Sequence, residues 1–341
     1  MHLLKHLYTF DAQSRNESNF TKEVVRLCKE RGAVVETDKM GNVYCTKGQS
    51  DTYPCVVAHL DEVHDKRGKN FVVFSDGNII CGYDDFAKNK RHGIGADDKN
   101  GIWVALKCLE QFEAIKCAFF VCEEIGCVGS GSANMAFFGD CRFVLQCDRR
   151  NDSDLIVSVC GVQLCSKRFL KDIGYKDHGY AKTTGLLTDV YTLKRRGLKV
   201  SCVNLSCGYY NPHTSTEYTN FDHLLKCLKF VTHIVSSCTD VYVHDKRSEP
   251  KKVVQMRPSY SFDPFFGSSI EDFIKKEKVK TVFDPWEYDE LSEIINEIVE
   301  SDPDYTDEQI HEELELIYGS YTKKYADEII KDAREFYSTA S

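Results

Sequence analysis

The sequence predicts an α/β fold, in which a mixed, mostly parallel β-sheet is sandwiched by helices and followed by an acidic α-helical extension. Short apolar runs, typical of strands buried on both faces, alternate with segments that have the hydrophobic spacing of amphipathic helices. Such alternation indicates a sheet covered by helices. We expect three parts: a domain at 1–245, a linker or surface-hugging segment at 246–284, and the acidic helical extension at 285–341.

The elements of the first part follow from periodicity and punctuation. A helix is expected over 19–32, ending at Gly32, and two short strands at 33–37 and 42–46 are expected to form a hairpin. Apolar stripes predict two longer helices, through 102–112 and 224–235. The apolar runs that predict buried strands are 55–58, 117–122, 143–147 and 200–205.

The character of the chain changes around 248–252, where it becomes polar and punctuated by Pro and Gly. An acidic helix is expected to begin at Asp284-Pro285, with an apolar stripe from Leu291 to Val299. Thr306 followed by Gln309 resembles a capping box, which predicts the start of another helix.

Composition excludes several functional classes. The 341 residues carry a net charge of −9, which argues against a nucleic-acid partner because phosphate binding needs clustered Lys and Arg. No apolar run is long enough to span a membrane, and the first residues do not resemble a signal peptide. The 16 cysteines lie singly inside apolar runs, which is typical of reduced, buried thiols. We therefore expect a cytoplasmic protein with no membrane partner.

Polar residues follow the predicted strands at the points where ligands bind in open α/β sheets. Acidic residues are disfavoured directly after buried strands unless they have a partner. Each motif alone has a structural explanation, such as a surface ion pair or a turn, but the ordered set favours a metal site. The motifs are His59-Leu60-Asp61, Gly95-Ala96-Asp97-Asp98-Lys99, Glu123-Glu124, Cys147-Asp148 and Asn211-Pro212-His213.

Two histidines and three carboxylates form a ligand set suited to Zn²⁺, Co²⁺ or Mn²⁺. An odd number of carboxylates allows one of them to bridge two ions, so two divalent metal ions are expected. The His59-x-Asp61 spacing places both side chains on one face of a strand, where Asp61 would orient His59. Adjacent Glu123 and Glu124 could divide two roles, one as a metal ligand and one as a base.

At this point the chain resembles the zinc exopeptidase superfamily, which includes peptidase T-like tripeptidases, carboxypeptidase G-like and aminoacylase enzymes, and single-domain aminopeptidases. The resemblance covers about 20–235 and rests on the ordered series HLD, GADDKNG, CEEIG, CD and NPHTSTEY. GADDKNG with CEEIG is closest to the peptidase T-like branch.

The resemblance implies a role for each matching residue. His59 and Asp148 would bind one Zn²⁺-type ion, and Glu124 and His213 the other, with Asp97 as the bridging ligand. Asp61 would orient His59. Glu123 would be the general base and acid, acting on a water between the ions.

One departure from the superfamily concerns the lid and dimerisation insert that many members have. About 65 residues separate Asp148 from His213, too few for that insert beside the core elements. A single-domain aminopeptidase is therefore the nearer analogue, and substrate specificity is expected in loops at 82–93 and 172–184. Thr188-Asp189 falls where the family often has Gly-Thr-Asp, but Leu187 replaces the glycine, so no role is assigned to it.

The function expected from these residues is a dinuclear metallo-exopeptidase, an aminopeptidase acting on short peptides. The alternative with the same site is a hydrolase that acts on N-acyl amino acids, as a deacylase does, or on another non-peptide amide. An alternative of a different class is a metal-binding scaffold, or an inactive homologue, whose C-terminal helices bind a partner protein. The sequence leaves the native metal and the oligomeric state open.

Overall fold

The structure is a computed structural model that describes residues 1–245, 291, 295, 298, 299, 305–318 and 323–338. The chain divides into two compact units, Met1–Arg247 and Ser248–Ser341. The strands of the first unit are β1 (Val34–Thr37), β2 (Val43–Lys47), β3 (Tyr53–His59), β4 (Val72–Asp76), β5 (Ile79–Asp85), β6 (Lys90–His92), β7 (Ile115–Phe120), β8 (Cys141–Arg149), β9 (Asp154–Val159), β10 (Val162–Gln163), β11 (Ala181–Gly185), β12 (Cys202–Ser206), β13 (Tyr209–Tyr210) and β14 (Tyr218–Asn220). Its α-helices are α1 (His2–Leu7), α2 (Ser18–Glu30), α3 (Ala96–Gln111), α4 (Val128–Gly131), α5 (Lys167–Asp172), α6 (Asp189–Arg195) and α7 (Phe221–Ser237), and 3₁₀ helices lie at Met135–Phe138 and Tyr175–His178.

A large sheet of nine strands has the order β1-β2-β7-β3-β8-β12-β9-β10, with β11 paired to β9. Its central strands β7, β3, β8 and β12 are parallel to one another, whereas β1, β2 and β9 make antiparallel pairs. Every residue of β3 is buried. Val56 and Ala58 face a core shared with α2, α3 and α7, while Cys55 and Val57 face a core shared with α6. The predicted sheet between two layers of helices is confirmed.

The predicted helix over 19–32 is α2, which ends before Gly32. Gly32 has φ 79°, a left-handed conformation that favours glycine and stops a helix. The predicted hairpin is also present, because β1 pairs with β2 in antiparallel register. The four apolar runs give β3, β7, β8 and β12, and the two predicted longer helices are α3 and α7.

A second, smaller sheet has the strand order β13-β14-β5-β4, with β6 paired to β5. The interpretation of 82–93 as a loop is therefore wrong, because parts of β5 and β6 lie within it. Gly82 permits this pairing, since a Cβ atom there would lie 2.6 Å from the carbonyl oxygen of His92. The expected loop at 172–184 is wrong in part as well, because it contains a 3₁₀ helix and the start of β11.

The second unit contains helices α8 (Asp307–Tyr318) and α9 (Lys323–Ser338). The predicted capping box is confirmed: Thr306 N–H donates to Gln309 Oε1 at 2.8 Å, and Gln309 N–H donates to Thr306 Oγ1 at 3.2 Å. The linker expected at 246–284, including the helix start at Asp284-Pro285, lies outside the described residues.

The apolar stripe expected after 285 is described at four positions, and all four are helical. Leu291, Ile295 and Val299, spaced by four, are buried. Within the part of the chain that the structure describes, no helix has both the length and the apolar character needed to cross a membrane.

Candidate active site

The five residues expected to bind metal come from five separate segments. His59 is the last residue of β3, and Asp148 lies near the end of the parallel neighbour β8. Glu124 follows β7 by four residues, Asp97 lies in the first turn of α3, and His213 lies between β13 and β14. Because β7, β3 and β8 are parallel, their carboxyl ends deliver these side chains to one edge of the sheet.

His59 is the centre of the first group of contacts. Its Nε2 atom lies 3.0 Å from Asp97 Oδ1 and 3.6 Å from Asp148 Oδ1. Only 1% of His59 is exposed to solvent. One imidazole and two carboxylates therefore point at a common centre.

His213 forms the second group of contacts with a different pair of oxygens. Its Nε2 atom lies 3.1 Å from Glu124 Oε2 and 3.5 Å from Asp97 Oδ2. The two oxygens of Asp97 thus face different histidines, Oδ1 toward His59 and Oδ2 toward His213. Asp97 is the one residue shared by both groups.

The cluster contains buried polar atoms that have no hydrogen-bond partner within the described residues, namely Glu124 Oε1 and His213 Nε2. Leaving such an atom unpaired costs about 1–3 kcal/mol. Although burial disfavours the charged imidazole, the charge of Glu124 raises the pKa of His213 to about 11. Burial and the charge of Asp97 raise the pKa values of Glu124 and Asp148. The protein atoms alone therefore leave the centre short of positive charge.

Asp61 contacts both the His59 ring and the backbone of the Glu123-Glu124 pair. His59 Nδ1 lies 3.1 Å from the carbonyl oxygen of Asp61 and 3.5 Å from its Oδ1. The carboxylate also accepts the backbone N–H groups of Glu123, at 2.8 Å, and Glu124, at 3.2 Å. Ser14 donates its hydroxyl to Asp61 Oδ2 at 2.7 Å. Asp61 thus fixes the His59 ring and the main chain of the Glu123-Glu124 pair.

The Glu123 carboxyl group lies in the same electrostatic environment. Burial, followed by the charges of nearby carboxylates such as Asp148 and Asp189, raises its pKa well above the usual range, although the charge of His59 opposes this. Cys127 Sγ donates to Glu123 Oε1 at 3.4 Å. An acid with a raised pKa beside a cluster of carboxylates and histidines is suited to taking up and releasing a proton.

Asp98 directly follows Asp97, but its carboxylate makes different contacts. Its Oδ2 accepts the backbone N–H of His59 at 3.2 Å, and its Oδ1 accepts that of Gly101 at 2.9 Å. The carboxylate oxygens of Asp98 are therefore occupied by the main chain. Ligand atoms of His59, Asp98 and Asp148 also lie within 4.8 Å of one another, as do those of His59, Asp97 and Glu124. Only Asp97 contacts both histidines among the described residues.

Two functional neighbours were missed by sequence reasoning. Glu217 is fully buried, and its carboxylate accepts the backbone N–H groups of Gly95, at 2.7 Å, and Asp97, at 3.2 Å. It therefore fixes the segment that carries Asp97. Asp189, to which no role was assigned, is fully buried near Glu123, and burial raises its pKa to about 7. An acidic residue inside NPHTSTEY was the available signal for Glu217.

A second buried ionic cluster lies next to the site. Its central residue is Glu62, which directly follows Asp61 in the chain. Glu62 Oε2 accepts from Lys99 Nζ at 2.7 Å and from Arg67 Nη2 at 2.9 Å. Its Oε1 accepts from Arg67 Nη1 and from the backbone N–H of Ala12. Both oxygens of this carboxylate are thus fully paired. Burial alone would raise the pKa of Glu62, yet the charge of Lys99 and the contacts with Arg67 lower it to about 2.

No protein-family model matches the sequence, and no curated protein matches it at significant similarity. Solved structures share its fold at low sequence identity. Aminopeptidase PepT from Bacillus cereus ATCC 10987 is 14% identical, with a TM-score of 0.54 over 69% of this chain and 97% of that chain. A tripeptidase from Staphylococcus aureus subsp. aureus mu50 is 14% identical, with a TM-score of 0.54 over 68% and 95% of the two chains.

A third similar structure is an aminopeptidase from the archaeon Desulfurococcus kamchatkensis. It is 16% identical, with a TM-score of 0.50 over 69% of this chain and 93% of that chain. These likenesses establish the fold. The α/β architecture that the resemblance to zinc exopeptidases implied is confirmed.

Proposed function

We propose that this protein is a metal-dependent exopeptidase, an aminopeptidase that acts on short peptides. The observation that carries the proposal is the position of Asp97, whose two oxygens face two different histidine–carboxylate pairs. A core ion pair does not need that arrangement, whereas a bridging ligand between two metal ions does. The peptidase folds of the similar structures support the same reaction class.

The residues present fit two divalent ions. His59 and Asp148 would hold one ion, Glu124 and His213 the other, and Asp97 would bridge them. Glu124 Oε1 and His213 Nε2, which have no hydrogen-bond partner among the described residues, are atoms that a cation would satisfy. Zn²⁺ is the expected metal, and Co²⁺ and Mn²⁺ suit the same imidazole and carboxylate donors. When bound, such ions polarise a scissile carbonyl and lower the pKa of water.

The chain's own groups then move the proton. Glu123 would take a proton from the attacking water and pass it to the leaving amine, which is the general base and general acid work of one carboxyl group. Its raised pKa suits both halves of that task. Asp61 would keep the His59 ring in place through contacts to Nδ1 and leave Nε2 for the metal.

The test combines elemental analysis with hydrolysis of trialanine, its N-acetylated form, its C-terminal amide and N-acetylalanine. We expect about two divalent ions per chain after reconstitution. Trialanine and its amide should be cleaved and both acetylated compounds should resist, because an aminopeptidase requires a free amino group. Cleavage of N-acetylalanine alone would indicate a deacylase instead.

The mechanism is tested with Glu123→Gln, which keeps the size of the side chain and removes its basicity. We expect this variant to bind metal and to lose hydrolysis. Glu113→Gln, at an exposed position after α3, is the matched control and should keep full activity. If Glu123→Gln hydrolyses peptides normally, the assignment of the base is wrong. Protein that binds no metal and cleaves no substrate would instead indicate a scaffold that binds a partner protein.

A further inference from the structure

The turn after Glu123 places a thiol against the carboxyl group of that residue. Cys127 N–H donates to the Glu123 carbonyl oxygen at 2.7 Å, which closes the turn. The same residue donates its Sγ–H to Glu123 Oε1 at 3.4 Å. Cys127 is only 2% exposed, so water cannot readily compete for this contact. Main-chain and side-chain bonds thus join the same two residues.

Cys127 holds the side chain of Glu123, whereas Asp61 holds its backbone. Within the described residues, no other side chain donates a hydrogen bond to the Glu123 carboxylate. A thiol is a weak donor, so it can bias the position of an oxygen without tying up the carboxyl group. Because only Oε1 is held, Oε2 remains available for the attacking water.

We propose that Cys127 is a positioning residue that holds Glu123 in the orientation needed for proton transfer. This inference rests on the proposed function, in which Glu123 is the base. Small displacements of a catalytic group lower the turnover rate more than they weaken substrate binding. Loss of the thiol should therefore reduce kcat and leave KM and metal content nearly unchanged.

The chain offers a matched control in Cys122, five residues earlier. Cys122 Sγ donates to Glu17 Oε1 at 3.3 Å, and the residue is 3% exposed. Its contact has the same chemistry as that of Cys127, a buried thiol on a carboxylate, and the backbone φ angles are similar, 56° for Cys122 and 53° for Cys127. The carboxylate it holds is not the proposed base.

The experiment measures kcat, KM, metal content and the thermal midpoint of unfolding for Cys127→Ala, Cys127→Ser and Cys122→Ala, with trialanine as substrate. We expect kcat of Cys127→Ala to fall about tenfold at unchanged KM. Cys127→Ser, which keeps a donor at the same backbone conformation, should recover most of that loss. Cys122→Ala should keep the wild-type kcat even if its midpoint of unfolding falls.

If Glu123→Gln is inactive, as the proposed function requires, two results would overturn the inference about Cys127 without contradicting the proposed function. One is wild-type kcat in Cys127→Ala. The other is a fall in kcat that Cys127→Ser does not recover and that follows the loss of metal or of folded protein, since the thiol would then be structural. Normal activity in Glu123→Gln would overturn the proposed function itself, and this inference with it.

Discussion

Two buried charged clusters lie side by side in this protein, and they are satisfied in different ways. Glu62 has both oxygens paired by Lys99, Arg67 and a backbone N–H group. One residue earlier in the chain, Asp61 contacts the other cluster, in which Glu124 Oε1 and His213 Nε2 have no hydrogen-bond partner among the described residues, although His213 Nε2 lies 3.1 Å from Glu124 Oε2. In the first cluster two cations balance the carboxylate, although Arg67 Nε has no hydrogen-bond partner among the described residues, whereas the second cluster groups several carboxylates around two histidines.

The difference in charge balance supports a structural role for the first cluster and the proposed metal binding for the second. Buried charges retained for structure need opposite charges to balance them, because an uncompensated buried charge is costly. A cluster with missing positive charge and a shared central carboxylate is the arrangement expected where cations bind.

The largest effect is expected from Asp97→Asn. This change removes one carboxylate oxygen and places an amide group between the two histidines. Activity should fall by about 10³-fold or more, since metal ions contribute several kcal/mol to such reactions. Measured kcat/KM on trialanine checks this, with Asp98→Asn as a comparison. If Asp98→Asn loses the metal while Asp97→Asn keeps it, the assignment of the shared ligand is reversed.

Glu62→Gln and Glu124→Gln should change the stability of the metal-free protein in opposite directions. Glu62→Gln leaves Lys99 and Arg67 buried without their carboxylate and should cost about 3–5 kcal/mol in the free energy of unfolding. Glu124→Gln removes one of several crowded carboxylates and should stabilise the metal-free protein by about 0.5–2 kcal/mol. Denaturant unfolding of both variants checks this. Equal destabilisation would show that the two clusters do not differ.

The pH dependence of stability should also differ between these residues. The pKa of Glu62 is lowered to about 2, so its ion pairs stabilise the protein above the ordinary glutamate pKa, and the contribution is lost as pH falls toward 2. Burial and Asp97 raise the pKa of Glu124, so its ionised form opposes folding at neutral pH. Lowering the pH should therefore shrink the difference between each variant and the wild type. A difference that grows on acidification would contradict these signs.

Each bound metal ion should stabilise the folded protein by a smaller amount. Free ions at 100 times the dissociation constant add about 2.7 kcal/mol per site to the free energy of unfolding. Zn²⁺ should therefore raise the thermal midpoint of wild-type protein, and a chelator should reverse the rise. In Asp97→Asn the midpoint should respond little. An identical rise in that variant would place the metal elsewhere.

The smallest effect is expected from Asp61→Asn, which keeps the backbone carbonyl contact to His59 and changes the carboxylate. Loss of such a partner typically costs about 10–100-fold in metal affinity. Competition with a chromophoric chelator measures the dissociation constant. The same loss in Ser14→Ala, which removes only one hydrogen bond to Asp61, would show that orientation of His59 is not the cause.

Some features of the fold and of the candidate site could be predicted from local patterns in the sequence. The positions of His59 and Asp148 at or near the ends of parallel strands were predictable, because the apolar runs of those strands are visible in the sequence. The capping box of Thr306 and Gln309 was predictable because its two hydrogen bonds join residues three apart. These features depend on local patterns.

The remaining features depend on pairing over long distances. Lys99 meets Glu62 across 37 positions, and Glu217 holds the N–H of Asp97 across 120, so no local pattern announces either contact. The smaller sheet was missed for the same reason, because Tyr218 pairs with Cys81 from a distant segment. Sequence alone therefore indicated the proposed ligands and Asp61, but not Glu217, which holds the segment that carries Asp97.

The proposed role of Asp97 as a ligand shared by two metal ions is tested by the number of ions that the wild-type protein and Asp97→Asn retain. Wild-type protein and Asp97→Asn would be reconstituted with Zn²⁺, freed of loosely bound ions and measured by elemental analysis. We expect about two ions per chain in the wild type and fewer than one in the variant, because both proposed sites would share this carboxylate. Two ions in the variant, or none in the wild type, would contradict the proposed role.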